Sequence, residues 1–172
     1  DAIARDLERT VGLYTIATDA AGERTFSYWR QSSAARALAQ DAVALGETLS
    51  GARLVYLSGI TAAIVGDAGR AVLLATLAEA KSAGARVAYD PNYRPRLWDD
   101  TGAMQHFSQK IAALADILLP TFEDEAAAFG DADPAATAAR LQAWGCSELV
   151  VKDGARETLL VADGTVSRQL PP

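Results

Sequence analysis

Short apolar runs alternate with stretches of helical periodicity through most of this chain, and no other feature restricts its fold so far. Residues 53–58, 87–90, 117–119 and 149–152 are compact and rich in Val, Leu, Ile and Tyr, the pattern of strands buried on both faces. Residues 68–83 carry Val72, Leu73, Ala75, Leu77 and Ala80 at helical spacing, and Gly84 stops that helix. Gly66-Asp67-Ala68-Gly69 opens it, with Asp67 near the cap. Further helices are expected over residues 39–49, 104–114 and 123–129, the last ended by Gly130. Another runs from Ala132-Asp133-Pro134 to Trp144, with Pro134 in its first turn. Ser32-Ser33 is read as the cap of a helix reaching Leu38. Residues 158–161 and 165–168 read as a hairpin about Asp163-Gly164. Strands alternating with helices at short spacing build a mainly parallel sheet covered by helices, an α/β fold.

One segment breaks the alternation. Residues 11–18 and 24–30 read as two strands joined by the turn Asp19-Ala20-Ala21-Gly22-Glu23. In the second strand Phe26, Tyr28 and Arg30 share one face, and Thr25, Ser27 and Trp29 the other. A phenol beside a guanidinium fork can grip a carboxylate. The bland alternative is an amphipathic hairpin with an aromatic face. The chain therefore divides into a lid hairpin, 11–30, and an α/β core, 33–172.

The 172 residues carry a net charge of −6, which argues against non-specific binding of nucleic acid. Cys146 is the one cysteine and reads as a buried, inert thiol. His106 has no acidic, Ser or Cys partner in sight. No apolar run is long enough to span a bilayer, and a cytoplasmic protein is expected.

Asp90-Pro91-Asn92-Tyr93-Arg94-Pro95-Arg96-Leu97-Trp98 directly follows a buried strand. Open α/β sheets bind ligands at the carboxyl ends of their strands. Asp90, Asn92 and Arg94 alternate, so in an extended chain all three face one cleft. Pro91 and Pro95 stiffen it, while Arg96 and Trp98 are expected to brace the loop. Such a strand end suits an anionic small molecule, although arginines paired with local carboxylates on a surface loop would look the same.

With Gly12-Leu13-Tyr14, Gly22-Glu23-Arg24-Thr25-Phe26, Tyr28-Trp29-Arg30, Ser33-Ala34-Ala35-Arg36, Leu119-Pro120-Thr121-Phe122, Glu125-Ala126-Ala127 and Val150-Val151-Lys152-Asp153-Gly154-Ala155, these motifs resemble the ribokinase-like (PfkB) carbohydrate kinases. They are most similar to the members acting on the sugar acid 2-keto-3-deoxygluconate. The motifs run in family order over nearly the whole chain.

The resemblance implies an ATP- and Mg²⁺-dependent phosphotransferase. Tyr14, Tyr28, Arg30 and Arg94 would hold the sugar acid. Asn92, Arg94, Lys152, Asp153, Gly154, Ala155 and Arg156 would hold ATP. Asp124 or Glu125 would order Mg²⁺ through water. Thr121 stands where the family has asparagine, and Glu157 where it usually has a second glycine. The family's catalytic aspartate, in a Gly-Ala-Gly-Asp motif, is expected after residue 172, and a further substrate-binding segment before residue 1. Both ends thus read as cut, and the 172 residues alone are expected to be inactive. Pairing of two copies through the lid is also implied. Fructose or ribose is the alternative substrate, and a non-catalytic sugar- or nucleotide-binding module the alternative class. Arg30 and Arg94 speak against a neutral sugar, because a buried unpaired arginine is costly.

Overall fold

The computed structural model of the chain describes residues 3–169. An antiparallel hairpin, β1 (Leu13–Thr18) and β2 (Arg24–Trp29), comes first, with Tyr14 opposite Tyr28. Helix α1 (Ala42–Leu49) leads to β3 (Leu54–Ser58), and α2 (Gly59–Ile64) and α3 (Gly66–Ser82) to β4 (Arg86–Asp90). Then follow α4 (Thr101–Leu114), β5 (Ile117–Leu118), α5 (Phe122–Phe129), α6 (Pro134–Ala143), β6 (Glu148–Val151), β7 (Thr158–Ala162) and β8 (Thr165–Gln169). Strands β3 to β8 lie side by side in chain order in one six-stranded sheet. The β3–β4, β4–β5 and β5–β6 pairs are parallel, and β6–β7 and β7–β8 antiparallel. A parallel pair needs a helical crossover, whereas an antiparallel pair closes with a short turn.

Burial drives this arrangement. Val87, Tyr89, Leu118, Leu149 and Val151 on the strands pack with Leu77, Phe107, Ile111 and Leu141 on the helices in one contiguous core. Full burial of such a side chain contributes about 1.5–3 kcal/mol. Three helices start on an aspartate. Asp41, Asp100 and Asp133 accept from the amides of Ala44, Ala103 and Ala136 at 2.9, 2.7 and 2.7 Å. Each cap contributes about 1 kcal/mol. Gly130 ends α5 in the left-handed region at φ 78°, which only glycine adopts cheaply.

Several local expectations need correcting. Ser33 makes no side-chain cap, and the helix expected to Leu38 is a single 3-10 turn, Ala34–Ala37. Helix α2 was not foreseen, because its six residues are too few to show a period. Asp67 does lie near the cap, in the first turn of α3, and pairs with Arg70. β3 is not buried on both faces. Among the described residues it is an edge strand, and Leu54 and Tyr56 are exposed while Val55 and Leu57 are buried. Arg30 falls just outside β2. Both strands of the hairpin are exposed along their whole length.

Candidate active site

The carboxyl end of the parallel sheet gathers charge. β4 ends on Asp90, and Lys152, just beyond β6, brings its Nζ to 3.4 Å from both Asp90 carboxylate oxygens. The Tyr56 hydroxyl, from the exposed face of β3, lies 3.5 Å from Asp90 Oδ2. The Lys152 amide donates to the Pro120 carbonyl at 2.9 Å, and the Phe122 amide to the Lys152 carbonyl at 2.7 Å. These bonds dock the start of α5, with its acidic turn Glu123-Asp124-Glu125, against the strand ends.

The loop after β4 does not run extended. Asn92 has φ 38°, so the two-residue alternation expected for Asp90, Asn92 and Arg94 is broken there. Asparagine tolerates the left-handed region better than most residues. The loop is anchored from beneath. The buried Tyr93 hydroxyl and the Ser108 hydroxyl share a hydrogen bond of 2.8 Å, and the buried Trp98 ring lies 5.0 Å below the Arg70 guanidinium. Trp98 braces the loop as expected. Arg96 is exposed, with no side-chain hydrogen bond or ion pair among the described residues. Arg94 is exposed too, and its Nη1 donates to the Tyr93 carbonyl at 2.7 Å.

The two neighbouring carboxylates of α5 part company. Asp124 is half-buried and electrostatically coupled to Arg94 and Lys152. Burial pushes its carboxyl above the ordinary value, against Arg94, the Tyr93 backbone amide and Lys152. Glu125 is fully buried, and its Oε2 accepts from Arg140 Nη2 at 2.7 Å. Burial raises its carboxyl to about 7 although Arg140 pulls it down. Glu125 is therefore not presented to a metal, which corrects its inclusion with Asp124. Among the described residues no cluster of three or more His, Cys, Asp or Glu could hold a metal ion. The part-buried Asp124 carboxylate suits Mg²⁺, which keeps several waters and binds through one or two carboxylates plus substrate phosphates.

The Lys152-Asp153-Gly154-Ala155-Arg156 segment forms a turn with Gly154 at φ 57°. Arg156 Nη2 donates to Asp153 Oδ1 at 2.8 Å. Asp153, Gly154, Ala155 and Arg156 face Phe122, Glu123 and Ala126 across an open concavity of about 480 Å³. Glu157 lines a separate one of about 630 Å³, towards the start of α6. Lys152, Asp153, Arg156, Asp124, Arg94 and Asn92 thus lie at one end of the sheet.

The hairpin residues form a second group. Tyr14 and Tyr28 have ring centres 6.2 Å apart, Phe26 stacks on Tyr28 at 6.0 Å, and the Arg30 guanidinium lies 4.2 Å over the Tyr28 ring. Phe26, Tyr28 and Arg30 therefore share one face, as read from the sequence, and Tyr14 joins them from β1. Among the described residues no hydrogen bond or ion pair joins them to Arg94 or the strand ends. Cys146 is buried, and burial pushes its thiol up. His106 is exposed.

Two features escaped the sequence reading. Tyr56 could have been found only from the alternating exposure of an edge strand. The Arg140 contact to Glu125 joins residues on separate helices and leaves no local signal.

Residues 2–172 match the family of pfkB carbohydrate kinases. The chain belongs to that family. A 2-dehydro-3-deoxygluconokinase from Dickeya dadantii (strain 3937) is 37% identical over 99% of this chain and 56% of its own length. Among solved structures, a PfkB protein from Polaromonas sp. JS666 superposes with a TM-score of 0.83 at 24% identity, over 96% of this chain and 55% of its own. A fructokinase from Xylella fastidiosa, solved with bound ATP, superposes with a TM-score of 0.72 at 24% identity, over 98% of this chain and 53% of its own. The fold is ribokinase-like: a mixed six-stranded sheet flanked by helices, plus a two-stranded hairpin. This pfkB chain spans about half the length of the relatives it matches. No helix among its described residues is long and apolar enough to cross a membrane.

Proposed function

We propose that this chain is the central part of an ATP-dependent kinase that phosphorylates the terminal hydroxyl of 2-keto-3-deoxygluconate. The observation that carries the reading is the gathering of Arg94, Lys152 and Asp124 at the carboxyl ends of the parallel strands. Phosphoryl transfer is chiefly positioning and charge neutralisation, and this cluster supplies both. In this reading Asn92, Arg94 and the 152–156 turn hold ATP, with backbone amides about Gly154 approaching its phosphates. Asp124 orders the waters of Mg²⁺, which supplies charge neutralisation when bound. The half-buried guanidinium of Arg30, stacked on Tyr28 beside Tyr14, supports a sugar with an acid group, which Arg94 grips from the sheet side.

The hairpin 11–30 acts as a lid that excludes water over the core 33–172, and its outer face, where the exposed Leu13 lies opposite the exposed Trp29, pairs two copies. The base that takes the proton of the attacked hydroxyl comes from the remainder of the intact protein. The 37% identity to a 2-dehydro-3-deoxygluconokinase also supports the acid substrate.

The test is ADP release by the full-length protein with ketodeoxygluconate, fructose or ribose as acceptor. Faster turnover of a neutral sugar would refute the substrate. Absence of turnover with all three would refute the kinase reading.

A further inference from the structure

Asp124 and Glu125 follow one another in the first turn of α5 and point in different directions. Asp124 is coupled to Arg94 and Lys152, while Glu125 is buried against Arg140. Arg140, on α6, is itself held by Asp131: Nε donates to Oδ1 at 2.9 Å and Nη2 to Oδ2 at 2.6 Å. Its guanidinium lies 4.0 Å from the ring centre of Phe129 and 4.5 Å from that of Trp144. One arginine therefore fixes both ends of α5, through Glu125 in its first turn and Phe129 in its last.

Packing alone does not explain this pair. Glu125 Oε1 and Arg140 Nη1 are buried without a partner among the described residues. Apolar side chains of similar volume often match or exceed a buried ion pair in stability. A planar guanidinium fork adds direction, because it holds its acceptors in one geometry. Successive residues of a helix project about 100° apart, so holding Glu125 inward sets where Asp124 points.

We propose that Glu125 and Arg140 are positioning residues for Asp124. The buried pair sets the direction in which the Asp124 carboxylate meets metal-bound water, without itself touching metal, nucleotide or sugar. This rests on the reading of Asp124 as the carboxylate that serves Mg²⁺.

The test measures ATP binding to the full-length protein by calorimetry, once with Mg²⁺ and once with a chelator. The readout is the ratio of the two affinities, which a general loss of stability does not move. Glu125→Met removes the acceptor and is expected to lower the ratio roughly tenfold or more, the usual effect of losing an outer partner of a metal site. Glu125→Gln keeps an oxygen for Arg140 and stays close to wild type. In an Asp124→Asn background Glu125→Met lowers the ratio no further, because the two residues act as a unit. If Glu125→Met does not fold, Arg140→Lys takes its place, since it keeps the charge, loses the fork and carries the same expected loss. A wild-type ratio in the folded variant overturns the proposal, whatever its melting temperature, and so does an equal further loss in the Asp124→Asn background. A wild-type protein whose ATP affinity ignores Mg²⁺ refutes the functional reading, and the proposal with it.

Discussion

Replacing Gly59 by alanine sets local preference against tertiary contact, and the two give opposite signs. Gly59 is the first residue of α2. Inside a helix, alanine is better than glycine by roughly 0.5–1 kcal/mol. A Cβ on Gly59 would however run into the Pro91 carbonyl oxygen, and would lie 2.8 Å from both the Pro91 carbonyl carbon and the Tyr89 hydroxyl. Backbone cannot swing aside as a flexible side chain can, and Tyr89 is 1% exposed in the core. Overpacking of this kind costs about 1–3 kcal/mol, and a backbone obstacle places Gly59→Ala at the upper end. The net expectation is a loss of about 2 kcal/mol. With a urea slope of about 2 kcal/mol per molar, the unfolding midpoint falls by about 1 M.

Gly46→Ala is the internal control. Gly46 lies in α1, and its nearest neighbour to a new Cβ is Thr76 Cγ2 at 4.0 Å, an ordinary contact. That variant is expected to gain roughly 0.5–1 kcal/mol. Urea titrations of both variants in the full-length protein decide the matter. Two midpoints rising together would refute the claim that the β3 end is packed hard against the Pro91 loop. The loss also reaches the site, because Pro91 leads into Asn92 and Arg94; steady-state kinetics of Gly59→Ala should show a raised KM for the acceptor.

Arg94→Ala removes a cation that acts on the Asp124 carboxyl and is expected to weaken acceptor binding by about 1.5–3 kcal/mol, one to two decades in affinity. Substrate titration of the variant measures it, and an unchanged KM and kcat would exclude Arg94 from the site. The Asp116 carboxyl gives an acid signature. Burial pushes it up, but Lys81 Nζ at 2.8 Å and the Val87 amide at 2.8 Å outweigh that and hold it below the ordinary value. A depressed carboxyl binds fewer protons folded than unfolded, so its stabilisation is complete above the unfolded value and lost as pH falls through the folded one. Thermal melts at falling pH should therefore show a decline below about pH 4 that is smaller in Asp116→Asn. Equal slopes in the two proteins would remove Asp116 from the account.

Much of this architecture was already determined by short-range signals in the chain. Apolar runs, helical spacing and the punctuating residues Asp133-Pro134, Gly84 and Gly130 act within a few neighbours, so the order of strands and helices could be read directly. The same holds for the shared face of Phe26, Tyr28 and Arg30, since alternation along one strand is a local rule. What long-range packing decided is of another kind. Asn92 takes a positive φ, against the extended run read for residues 90–94. β3 became an edge strand because of which strand pairs with it, and no pattern within its five residues carries that. The division of labour between Asp124 and Glu125 was decided by Arg140, fifteen residues beyond Glu125 on another helix. Two adjacent acids are equivalent until something distant claims one of them. Burial and charge pairing act through space, so only the folded chain could turn Glu125 inward and leave Asp124 at the cleft.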